Sequence, residues 1–221
     1  MKRTMTVFVF CALGSIVYAD DKPNSSSVTE SDLRNELLSR TGPDQDSRKA
    51  MIRWTREHGS NGVVDTTVLS PEENAHYEKL RGNVREIDSA NTAWLKAVVE
   101  KHGWPTIALV GKDGAGAAWL LVQHADRDPK FQRQCLDRMA ALPKDEVSQS
   151  NFAYLTDRVL LAEGKRQLYG TQCQSIDGKL KPKPIEDEAN VDQRRSEVGL
   201  MPLAEYLRLA EQILSGSIDA K

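Results

Sequence analysis

The sequence predicts a mostly α-helical single domain carrying a small antiparallel β meander, an α+β class. Three observations lead there. Apolar residues recur at helical spacing through most of the chain, helix-start and helix-stop residues fall at the ends of those stripes, and between about residues 159 and 185 the period changes from helical to alternating.

The chain opens with a processing segment. Lys2 and Arg3 precede an apolar run from Met5 to Val17, and Val17, Tyr18 and Ala19 form a cleavage pattern, so residues 1–19 are expected to be a signal peptide and the mature chain to begin at Asp20. The apolar run is too short for a stable membrane span, and no later stretch is comparable. Phe10, ahead of Cys11, is too bulky for a lipid-attachment signal. Residues 20–27, DDKPNSSS, have no apolar face and are expected to be a disordered linker, leaving residues 28–221 as one domain.

Leu33, Leu37 and Leu38 mark a helix over 28–40, which TGP at 41–43 is expected to close before a second helix from about Asp44 to Glu57. HGSNG begins a loop over 58–69. Ser70, Pro71 and Glu73 then give a hydroxyl cap, an N1 proline and a reciprocal capping carboxylate. Tyr77, Leu80, Val84 and Ile87 continue that stripe, and Asn91, Trp94, Leu95, Val98 and Val99 repeat it up to Gly103, as one helix or two. WPTIALVG at 104–111 reads as extended and KDGAGA as a turn into the helix carrying Trp119 to Ala125. Asp128 and Pro129 start the next helix, with Phe131, Cys135, Met139 and Leu142 inward, and another covers about 148–158. VLLA, RQLYGTQC and KLKPKPI, separated by turns, read as three strands, and helices over 188–198 and from Leu203 to Leu214 finish the chain.

Without Lys2 and Arg3 the mature chain carries a net charge of about −4, and no basic run tracks a phosphate backbone, so nucleic acid is not an expected partner. The expected localisation is export, to the periplasm or outside the cell. There, Cys135 and Cys173 are an even pair open either to a disulfide or to separate thiols.

The blocks DQDSR (44–48), IDSAN (87–91), HGWPT (102–106), QHADRDPKFQ (123–132), AYLTDR (153–158), QLYGTQ (167–172) and VDQRRSEVGLMPLAEYL (191–207) occur in an order that resembles a family of bacterial proteins of uncharacterised function. The resemblance covers nearly all of the mature chain and implies no activity, cofactor or catalytic residue.

Several block residues share one property when placed on helices. His124 follows Ala117, Leu120 and Leu121 on the apolar face, Arg48 shares a stripe with Met51 and Ile52, and Arg158 flanks Tyr154 and Leu155. Such inward polar groups must meet one another or a ligand. One reading is a binding or interaction domain, its partner a small molecule or a protein, with Arg48, Trp104, Gln123, Arg158, Gln167, Tyr169 and Gln172 lining the site. In a bland variant the same groups form a buried network that only fixes packing. The other reading is a hydrolase-like enzyme in which Asp126 or Asp157 orients His124 as acid or base. His102, His124, Asp126 and Asp157 are acceptable metal ligands, yet no HxxxH, HExxH or CxxC spacing gathers them, so neither a metal nor another cofactor is expected. Trp104 is either a hydrophobic lid or a pocket wall, and GKDGAGA lacks the spacing of a phosphate loop.

Overall fold

The computed structural model describes residues 28–60, 62–176 and 179–217. The expected signal peptide and the 20–27 linker lie outside the described residues, as does the turn at Asp177 and Gly178. Among the described residues there are seven α-helices and one two-stranded antiparallel sheet, in line with the predicted class. Helix α1, Ser31–His58, runs without a break through Pro43, so the expected stop at 41–43 does not occur. A proline inside a helix removes one main-chain hydrogen bond and costs about 3 kcal/mol in isolation. Here Leu37, Asp44, Arg48, Met51 and Trp54 are buried on one stripe spanning both sides of Pro43, and packing on α2 and α3 holds the two halves in line.

Helix α2, Pro71–His102, is a single helix. The predicted capping box forms, with Ser70 Oγ accepting from the Glu73 N–H at 3.2 Å and the Glu73 carboxylate accepting from the Ser70 N–H at 2.7 Å. The stretch expected to be extended is largely helical instead. Thr106 caps helix α3, Ile107–Gln123, which turns sharply at Gly111, whose φ of 75° suits glycine, and then continues. Its second part is sheathed by neighbours, with every residue from Gly116 to Gln123 buried, and it forms the centre of the domain against α1, α2, α4 and α5.

Asp128 and Pro129 open helix α4, Pro129–Ala140, as the sequence predicts, and helix α5, Gln149–Ala162, extends through VLLA, so the strand expected there does not form. The meander has two strands, not three: β1, Cys173–Ile176, and β2, Lys179–Pro182, with Cys173 opposite Pro182. QLYGTQ forms a clamped loop. Three of its N–H groups turn onto the carboxylate of Asp157, which accepts from Leu168 N at 2.7 Å, Tyr169 N at 3.0 Å, Thr171 N at 2.9 Å and the Thr171 hydroxyl at 2.9 Å, while Gln167 bridges to the segment at Ile185. Gly170, with φ 69°, lets the loop reverse; a Cβ there would lie 2.9 Å from Ile185 and 3.0 Å from Leu203. Helices α6, Val191–Glu197, and α7, Leu203–Leu214, close over this loop. Arg195 donates to the Tyr169 carbonyl at 2.6 Å and Tyr206 to the Thr171 carbonyl at 2.8 Å.

Asp157→Ala strands three N–H groups and a hydroxyl at once. Its expected cost in urea unfolding is about 3 kcal/mol or more, with faster amide exchange at Leu168, Tyr169 and Thr171. A loss below about 1 kcal/mol would contradict this role.

Candidate functional site

Three helices bring charged side chains to one buried point. Asp44 and Arg48 come from consecutive turns of α1, Asp88 from α2, and His124 stands one residue past the end of α3. Gln132 of α4 fixes that helix end: its amide nitrogen donates to the carbonyls of Val122 at 3.1 Å and Gln123 at 3.2 Å, two of the acceptors a helix terminus leaves open. The Arg48 guanidinium sits in the middle. Its Nε donates to His124 Nε2 at 3.2 Å, one terminal nitrogen donates to Asp88 Oδ1 at 2.7 Å, and the other lies 3.4 Å from Asp44 Oδ1. His124 Nδ1 is 2.9 Å from the same Asp44 oxygen. The second Asp44 oxygen accepts from the Gln45 amide at 2.8 Å. The Asp44 side chain is fully buried, while Asp88 keeps 17% exposure and is the open side of the cluster.

These contacts fix the protonation pattern. A guanidinium has donors and no acceptor, so His124 Nε2 must present its lone pair to Arg48, and the ring proton is on Nδ1, donated to Asp44. The ring is neutral. Burial pushes the His124 pKa down, and the Arg48 charge adds to that, against the pull of Asp44. Burial would raise Asp44, but its interactions with His124, Arg48 and Gln45 outweigh it and hold the carboxyl below its ordinary value. Asp88 goes the other way. Burial pushes it up to about 6 despite the opposing charge and hydrogen bond of Arg48, and the carboxylates of Asp44 and Asp126 add to the rise.

Among the residues singled out from sequence, the structure brings together His124, Arg48, Asp126 and Arg158. Arg158 donates to Asp126 at 2.6 Å, and this half-open pair acts electrostatically on the cluster, Arg158 on His124 and Asp126 on Asp88. The expected pairing of His124 with Asp126 or Asp157 is not what forms. The carboxylate on its ring is Asp44, because α1 rather than α5 faces the end of α3 at this point. Asp157 belongs to the loop hub, where burial raises its pKa against the pull of the Thr171, Tyr169 and Leu168 N–H groups. Gln167 is fully buried, with its amide spent on Gln172 and on the Lys183 carbonyl, and Gln172 is buried beside Thr171. Tyr169 is half-buried against the core, and Trp104 is a buried core residue, the lid rather than an open wall. Gln123 is 1% exposed, and neither end of its amide has a hydrogen-bond partner among the described residues.

Residues 31–218 match the model of a family of unknown function, DUF6624. The chain belongs to this family. Neither the comparison with curated proteins nor that with solved structures gives a match.

Two members of the cluster, Asp44 and Asp88, are not singled out by the sequence, nor is Gln132. A signal existed: Asp44 falls seven residues after Leu37 and four before Arg48, and Asp88 four after Val84 and three before Asn91, so both lie on buried stripes. One imidazole and two carboxylates thus converge, with ligand atoms of Asp44, Asp88 and His124 within 4.8 Å of one another, a set that shares only His124 with the residues weighed in the sequence. Among the described residues, Cys135 and Cys173 are buried free thiols not bridged to each other, and burial pushes Cys135 up to about 12. Neither of these thiols takes part in the site.

Asp88 makes stability depend on pH with a definite sign. Its folded pKa, about 6, lies above the ordinary carboxylate value of 3.8, so its contribution is full below pH ~4 and is lost as pH rises through 6. His124 acts in the opposite sense, since its lowered pKa makes stability fall as pH drops below ~6.5. Comparison with Asp88→Asn isolates the first term. Relative to the variant, the wild-type protein is expected to lose about 2 kcal/mol of unfolding free energy between pH 4 and 7. A difference that does not change with pH would contradict the assignment.

Proposed function

We propose that the protein is an exported binding protein, periplasmic or secreted, whose recognition site is the cluster of Asp44, Arg48, Asp88 and His124 with Asp126 and Arg158 at its rim. The observation that carries this reading is Asp88, a carboxylate that pairs with Arg48 from the partly exposed side of a buried ion cluster. Buried ion clusters add little to folding stability compared with apolar packing, so a charged cluster kept with one partly exposed member favours recognition over scaffold. The rim adds a guanidinium and a carboxylate side by side, suited to a small polar ligand bearing both charge signs or a donor and acceptor pair. Base catalysis by His124 draws no support from this geometry, since the Nε2 lone pair that a base would use is already engaged by Arg48. The export part of the proposal rests on the first 19 residues of the sequence.

Chemical-shift mapping with a panel of amino acids, dicarboxylates and simple sugars tests the reading. At least one class is expected to shift the His124 ring and the Arg48 and Arg158 Nε–H signals in the wild type and not in Arg158→Ala. Perturbations confined to other surfaces, or equal in the variant, would overturn it.

A further inference from the structure

We infer that the outward face of the β1–β2 hairpin, Ile176 with Lys179, Lys181 and Lys183, is a docking surface for an anionic phospholipid membrane. The Arg48 cluster takes no part in it.

The strand register sets this face. Side chains alternate along each strand, and residues directly opposite one another in an antiparallel pair project to the same side. Lys181 stands opposite Gln174 and Lys179 opposite Ile176, so these four share one face. Lys183 continues the row, its N–H donating to the Gln172 carbonyl at 2.9 Å. Leu180 projects the other way, into the core, and β2 packs on α7. Lys179, Lys181 and Ile176 are exposed and Lys183 is half-buried, and none of the three lysines makes an ion pair among the described residues. Residues 172–185 hold three lysines against one carboxylate, Asp177, in a chain whose net charge is −2, so the positive charge is local. Ile176, 38% exposed, is one of two large apolar residues that are exposed among the described residues.

The shape of the row selects the occupant. Successive lysines on one face of a strand stand about 7 Å apart, which spreads their charge along a line and matches a plane of separate headgroups rather than a single phosphate. An ammonium on a four-carbon stem stays at headgroup level while its methylenes lie along the acyl boundary. Ile176 decides between lipid and other polyanions, because an aliphatic side chain finds acyl chains in a bilayer and no such interior on nucleic acid or a polyanionic chain. Lysines on an outer strand also keep it from pairing with another chain. That role alone does not account for Ile176, since an exposed aliphatic residue beside a strand edge favours the pairing that the lysines oppose. No described helix is long and apolar enough to cross a membrane, and the contact inferred here is with the surface. Each lysine at an anionic leaflet strengthens attachment about fivefold, so the row supplies on the order of 100-fold, which salt screens.

Co-sedimentation of the chain from Asp20 onward with vesicles of phosphatidylglycerol and phosphatidylcholine in equal parts, against vesicles of phosphatidylcholine alone, tests the inference. The wild type is expected to partition at least about 10-fold more strongly into the anionic vesicles and to lose most of that binding between about 0.1 M and 1 M NaCl. Lys179→Gln/Lys181→Gln is expected to bind at least about 10-fold more weakly, and Ile176→Ser about 3-fold more weakly. All three side chains are exposed, and circular dichroism confirms that each variant folds. No binding, equal partition into both vesicle types, or binding that the double lysine variant leaves unchanged would overturn the inference and leave the lysines as guards of a strand edge. Binding to single-stranded DNA or polyglutamate with none to the vesicles would overturn it too, by assigning the row to a soluble polyanion. An Ile176→Ser variant that binds like the wild type would contradict the lipid contact.

Discussion

The guanidinium of Arg48, buried between two carboxylates and an imidazole, is the interaction around which the helices are arranged. A buried guanidinium without partners would cost several kcal/mol, so α1, α2 and the end of α3 must meet at one point for the cation to be satisfied. The requirement spreads outward. It accompanies the passage of α1 through Pro43, because Asp44 and Arg48 lie beyond the proline while Leu37 lies before it on the same stripe. It also demands that α3 end at a fixed residue, and Gln132 provides this by closing the last carbonyls of that helix.

A second polar centre in the same domain shows by contrast what a purely structural carboxylate looks like. Asp157 meets a complete set of donors from one loop, and Gln167, Arg195 and Tyr206 bind most of what that loop has left. Its role is finished within the fold. Asp88 instead meets one guanidinium, sits near two other carboxylates and keeps part of its surface in water. Two inward carboxylates of similar appearance in sequence therefore do different work, and the difference lies in the number of donors that surround each.

Much of the scaffold is legible in the sequence because it depends on neighbours along the chain. The Ser70–Glu73 capping box, the Asp128–Pro129 helix start and the inward placement of Arg48 and His124 follow from spacings of three and four residues. Outside WPTIALVG, whose cap and turn are local, what fails depends on groups distant in sequence. QLYGTQ alternates like a strand, but a carboxylate some ten residues earlier in the chain captures its N–H groups, and no periodicity reports that. WPTIALVG has strand-like composition, yet Thr106 caps a helix there and Gly111 supplies the turn that lets it enter the core. The partner of His124 was misassigned to Asp126 or Asp157 for the same reason. Asp44 lies 80 residues away, and only the packing of α1 against α3 puts it on the ring.

The central claim is that Arg48 holds His124 neutral, with the proton on Nδ1 and the Nε2 lone pair facing a cation. ¹⁵N NMR of the histidine ring at pH 7 measures this directly. The account requires a neutral His124 ring with Nδ1 protonated and Nε2 bare. A His124 imidazolium at that pH, or a ring protonated on Nε2, would contradict it, because either state places a hydrogen where the Arg48 Nε–H must donate.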